Sequence, residues 1–250
     1  MSQPTFNISD PHPEGNQPKN LQHTLELFAQ HHPWSSLENA FFHMLNLRNL
    51  HPRSGAGTTF DFPTQWTYWF FETKKHWLRN RNATVCECGF GSGYSSVMFL
   101  TATTEGPWTE GSRLIEFDLG IDTKMDYDRK KAISVQYIKE TFGSRAEFVW
   151  GDIDETIPSF PERNVCDVVL IDVSYVNMKG VKLMKMLAKK SAIVFMADSA
   201  HNDHGELEKY FEVDQRYEID SINPANWLSQ SSHRKKPGPE TKGWLVGHYI

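Results

Sequence analysis

The chain predicts an α/β domain: a seven-stranded, mostly parallel sheet with helices on both faces and an N-terminal helical cap. Three observations carry this. From Ala83 onward, short runs rich in β-branched residues alternate with amphipathic ones. A turn with three glycines at alternate positions, "VCECGFGSGYSS" at 85–96, joins the first such strand to the first such helix. Finally, an acid stands at or just after the carboxyl end of each of the first five strands.

Along the chain, residues 1–20 hold four prolines and almost no large apolar side chain, so they predict a flexible arm. Residues 21–80 predict the helical cap, part of the same domain. There Leu25, Phe28 and Ala29, then Leu37, Phe41, Met44 and Leu45, recur at helical spacing on either side of Pro33. A further amphipathic helix follows in "TQWTYWFFETKKHWLRN", where Trp66, Trp69, Phe70 and Trp77 share a face.

Residues 81–250 predict the α/β core. Strand "ATVCEC", helix "GYSSVMFLTAT", strand "RLIEFDL", helix "DRKKAISVQYIKETF" and strands "AEFVW" and "CDVVLID" open it. Helix "VNMKGVKLMKMLAKK", strand "SAIVFMAD" and helix "HGELEKYFEV" continue it. The last two runs, "RYEIDSI" and "GWLVGHYI", have no helical stretch between them and predict an antiparallel pair at one edge.

A net charge of −5, from 26 basic and 31 acidic residues spread along the chain, leaves no footprint for a nucleic-acid backbone. A small-molecule substrate is the expected partner. No signal peptide opens the chain and no run of eighteen apolar residues interrupts it, so a cytoplasmic protein without membrane association is expected. Cys86, Cys88 and Cys166 lie in strand-like runs outside metal-ligand spacing and are expected as reduced, buried thiols.

Ligands of open parallel sheets bind beyond the carboxyl ends of the strands. The acids there are Glu87, Asp118, Asp152, Asp172 and Asp198. A dinucleotide loop needs Gly-x-Gly-x-x-Gly, but the third glycine position falls on Tyr94 or Ser96, and a P-loop would need a lysine that this turn lacks. What stands is Glu-x-Gly-x-Gly-x-Gly, Glu87 to Gly93. With the ordered acids, this motif resembles that of the class I S-adenosylmethionine-dependent methyltransferases over roughly residues 83–250.

The resemblance implies a Rossmann-like core, S-adenosylmethionine as cofactor, and methyl transfer to a small molecule, with oxygen the first acceptor atom and nitrogen the next. It implies cofactor contacts from Glu87, Gly89, Phe90, Gly91 and Gly93. Asp118 would hold the ribose hydroxyls, with Glu116 as its competitor two residues earlier. Asp152 would take the adenine amino group, with Ile153 beside the ring, although Asp152 also suits a helix N-cap.

Asp172 is the first catalytic candidate and also a cofactor contact; Tyr175 stands near it. His201 offers a general base that titrates near neutrality. Asp172 with Asp198 resembles the metal site of catechol-type O-methyltransferases. Tyr175 in place of a lysine and Ser199 in place of an asparagine argue against a divalent cation there.

The basic stretch Arg234, Lys235, Lys236 reads as a solvated loop or as a greeting for an acidic substrate. Two rival functions remain: a nicotinamide oxidoreductase on the same fold, which the glycine spacing disfavours, and a non-catalytic module that binds the cofactor.

Overall fold

The computed structural model describes residues 63–104, 112–120, 126–173, 177–197, 204–207, 209–220 and 241–250, with short stretches between 39 and 50. The elements are α1 (Pro63–Arg79), β1 (Thr84–Cys88), α2 (Tyr94–Ala102), β2 (Arg113–Asp118), α3 (Asp126–Phe142), a 3-10 turn (Gly143–Arg145), β3 (Ala146–Trp150), α4 (Ile153–Ser159) and β4 (Cys166–Ile171). After them come α5 (Asn177–Met184), β5 (Ala188–Met196), α6 (His204–Leu207), β6 (Phe211–Asp220) and β7 (Thr241–Tyr249).

One sheet takes the order β3-β2-β1-β4-β5-β7-β6. Every pairing from β3 to β5 is parallel, and β7 runs antiparallel to both β5 and β6. The strand order reverses between β1 and β4, so the crevice of the switch point opens above the turn after β1.

Two apolar layers flank the sheet. On one face α1, α2 and α3 bury Trp69, Phe70, Val97, Phe99 and Ile138 against Val85, Leu114, Val168 and Phe195. On the other, α4, α5 and α6 bury Ile157, Val181, Met184 and Leu207 against Cys86, Ile115, Val169 and Val194. The aromatic face of α1 is core: Trp69 stacks on Phe195 at 5.6 Å and meets Trp244 edge-on at 6.1 Å.

All nine residues of α2 are buried, so its open carbonyl end needs donors from elsewhere in the fold. Arg145, at the entry to β3, donates to the carbonyls of Leu100 at 3.3 Å and Thr103 at 3.1 Å. Lys74 of α1 reaches the Thr104 carbonyl at 2.9 Å.

Three expectations are corrected. The lysine-rich run expected as helix to Lys190 ends at Met184, and β5 begins at Ala188. Its first residues, at the end away from the crevice, are polar, and Lys189 reaches Asp167 at 2.7 Å. The helix expected over 204–213 is α6 alone, and β6 starts at Phe211, five residues earlier than expected, because Phe211 packs edge-on against Tyr249 of β7. Cys86 and Cys166 are not reduced thiols: they form a disulfide, with Cα atoms 5.7 Å apart. They lie on the same face of neighbouring strands, a proximity that appears only once β4 is known to pair with β1. Cys88 is a buried free thiol.

The expected arm 1–20, residues 21–38, the Trp66 side chain and the basic loop with Arg234, Lys235 and Lys236 lie outside the described residues. No helix among the described residues is long and apolar enough to cross a membrane.

Candidate active site

The glycine turn owes its shape to backbone that other residues rarely adopt. Gly89, Gly91 and Gly93 all have positive φ, at 106°, 53° and 77°. Gly89 also lies against the chain leaving β4: a Cβ there would stand 2.1 Å from the Asp172 carbonyl oxygen. Strand-end hydrogen bonds fix this approach, with Gly89 N–H donating to Phe117 O at 2.9 Å and Asp172 N–H to Cys88 O at 2.8 Å. Gly93 then caps α2 in a left-handed conformation with no side-chain cap, so the positive end of the helix faces the turn.

Asp118 closes β2 beside this turn. Its Oδ2 accepts the Phe90 N–H at 2.9 Å, and its Oδ1 accepts Lys131 Nζ of α3 at 2.5 Å. The Phe90 side chain is buried beneath the turn, edge-on to Phe148 at 5.5 Å and Trp150 at 5.9 Å, and its carbonyl accepts the Gly93 N–H at 2.9 Å, so both its ring and its backbone serve the shape of the turn. Lower on the same face of α3, Ser134 Oγ donates to the Ser92 carbonyl at 2.8 Å. Ile138 Cδ1 lies 3.2 Å from where a Cβ of Gly93 would be.

Glu116 is separated from Asp118 by burial. It is fully buried and in register with Glu87, also fully buried, which accepts hydrogen bonds from Ser95 and Ser96 of α2. Both Glu116 oxygens are buried without a donor, and two adjacent carboxylates satisfy each other only by sharing a proton. Burial pushes the Glu116 carboxyl up to about 7. Burial, then the charge of Glu116, raises Glu87 as well. This pair supports the turn from below.

Asp152 caps α4, accepting the Asp154 N–H at 2.9 Å, and its exposed carboxylate is held below the usual range by that N–H first and by Lys179 second. Ile153 beside it is buried. Asp172 is half-buried at the end of β4 against Gly89. The structure thus gathers Gly89, Gly91, Gly93, Asp118 and Asp172 around the switch point, with Asp152 and Ile153 beyond the end of β3. Tyr175, Asp198 and His201 lie outside the described residues. No group of three or more His, Cys, Asp or Glu among the described residues is placed to hold a metal ion.

Sequence reasoning missed Lys131 and Ser134, whose spacing of three on α3 was the available signal.

A family model described as a methyltransferase domain matches residues 86–215, just over half of the chain. No curated protein matches the sequence. Among solved structures, an O-methyltransferase from Bacillus cereus in complex with SAH is similar in fold, with a TM-score of 0.53 at 10% identity over 86% of this chain and 90% of that one. An SAH-bound methyltransferase from Podospora anserina gives a TM-score of 0.51 at 14% identity over 94% and 99% of the two chains. The matched segment runs from β1 into β6, and so contains the glycine turn and all five acids, Glu87, Asp118, Asp152, Asp172 and Asp198; the chain belongs to the class I S-adenosylmethionine-dependent methyltransferases.

Proposed function

We propose that the chain transfers the methyl group of S-adenosylmethionine to an oxygen of a small-molecule acceptor, with nitrogen the next acceptor atom. The observation that carries the cofactor reading is the cradle itself: a turn whose first glycine admits no Cβ, beside a carboxylate fixed at the end of the adjoining strand. S-adenosylmethionine supplies an activated methyl on a sulfonium and carries no phosphate, which suits a turn without the P-loop lysine.

Asp118 would hold the ribose hydroxyls, and the N-terminus of α2 would face the carboxylate of the methionine end. Asp152 and Ile153 would border the adenine. Asp172, half-buried between the turn and the chain after β4, is placed to orient the acceptor or to take its proton. The names of the similar solved structures support oxygen as the acceptor atom, since one is an O-methyltransferase.

Titration calorimetry with S-adenosylhomocysteine and with NAD tests the cofactor. Binding of the first and none of the second is expected, with Asp118→Asn weakening binding about tenfold or more. Binding of NAD alone overturns the reading. Transfer of labelled methyl to phenols, catechols and hydroxy acids, set against amines, tests the acceptor; labelling confined to amines overturns oxygen.

A further inference from the structure

We propose that Lys131 is a positioning residue for ribose recognition: through its ion pair it fixes the Asp118 carboxylate in the one orientation that leaves two acceptor positions for a vicinal diol. The inference rests on the cofactor reading above and adds to it a residue from a different element.

A carboxylate has about four acceptor positions, two on each oxygen, and a free one rotates about its last torsion. In Asp118 one position on each oxygen is filled by a donor of fixed place: the Phe90 N–H on Oδ2 at 2.9 Å, and Lys131 Nζ on Oδ1 at 2.5 Å. The side chains of Lys131 and Asp118 are only 6% and 12% exposed, so neither partner has room to swing out into water. One position remains on each oxygen, which is the number that two neighbouring hydroxyls require.

The lysine is itself held. Its Nζ lies 3.5 Å from the Gly120 carbonyl just past Asp118. One turn further along α3, Ser134 ties the helix to the glycine turn through Ser92, and Ile138 packs under Gly93. One face of α3 therefore sets the carboxylate and the turn at a fixed distance from each other. Without Lys131 the Asp118 carboxylate keeps its bond to Phe90 but loses the contact that fixes its second oxygen, and a buried charge is left uncompensated.

The test compares Lys131→Met with the unaltered protein for binding of S-adenosylhomocysteine and of its 2′-deoxy analogue. The unaltered protein is expected to lose about tenfold in affinity on removal of the hydroxyl. Lys131→Met should weaken S-adenosylhomocysteine about tenfold and bring the two ligands within about threefold of each other. Lys131→Gln, which keeps a donor but not the charge, should fall between them, and it carries the same comparison if the methionine variant does not fold.

If the variants weaken both ligands equally and the discrimination persists, the lysine is merely structural and the proposal falls while the cofactor reading stands. If the unaltered protein binds neither ligand, or binds both alike, the assignment of Asp118 to the ribose fails and takes the proposal with it.

Discussion

Replacing Gly89 with alanine probes the cradle most directly. Two costs arise from the structure. At φ of 106° an alanine sits in backbone space disfavoured by about 1–2 kcal/mol. Its Cβ would also lie 2.1 Å from the Asp172 carbonyl oxygen and 2.7 Å from the carbon behind it, both backbone atoms, so the chain leaving β4 must retreat by about 1 Å to reach a normal contact. That retreat strains the Asp172 N–H to Cys88 O bond of 2.8 Å and the Gly89 N–H to Phe117 O bond of 2.9 Å, each worth about 1 kcal/mol.

The expected loss is about 3–4 kcal/mol, read from urea unfolding, together with weaker binding of S-adenosylhomocysteine by calorimetry. Gly143→Ala is the control: its φ is 64°, and nothing lies within 4 Å of the added carbon. Only the conformational cost of about 1 kcal/mol should appear there. If the two variants lose the same stability, the close approach at Gly89 is not what requires glycine, and the argument for a tight cradle fails.

Two further predictions concern the sheet beneath the site. Glu116, lifted by burial from 4.5 to about 7, holds a proton in the folded state that the unfolded chain releases, so its stabilising contribution is full below about 4.5 and is lost as pH rises through about 7. Glu87 is raised by burial as well, so urea unfolding from pH 5 to 8 should show a decline of about 2 kcal/mol or more from this pair, and replacing both Glu87 and Glu116 with glutamine should flatten it; an unchanged slope refutes the shared proton. The Cys86–Cys166 disulfide closes a loop with a sequence separation of 80, so the double alanine variant, or reduction, should cost about 4 kcal/mol by the chain-entropy estimate. A urea midpoint indifferent to dithiothreitol would show that the two thiols are not joined.

Much of the sheet was legible because its strands are buried on both faces and write themselves as apolar runs, as in Cys166–Ile171 and Arg113–Asp118. β5 was partly hidden, since it opens with Ala-Lys-Lys-Ser before its apolar half, and local propensity favours helix there. The long start of β6 was hidden for the opposite reason: "EKYFEV" has helical spacing, and only the pairing of Phe211 with Tyr249 makes it a strand.

In the candidate site, the turn was legible because its positive-φ backbone calls for glycine, and Asp118 because it stands at the end of an apolar run. Lys131 could not, because it follows Arg129 and Lys130 in a charged run that resembles a solvated helix face. Its burial is a property of how α3 docks. The disulfide needed the strand order, which no local pattern encodes.

The carbonyl end of α2 has a consequence for motion. Helix ends usually fray first, opening locally at little cost. Here the last carbonyls are held by Arg145 from the entry to β3 and by Lys74 from α1, so the helix cannot unwind from that end unless two distant elements leave it. Its amides should therefore exchange with solvent together with those of β3 and α1, as one cooperative unit, and the helix that follows the glycine turn has no independent way to loosen.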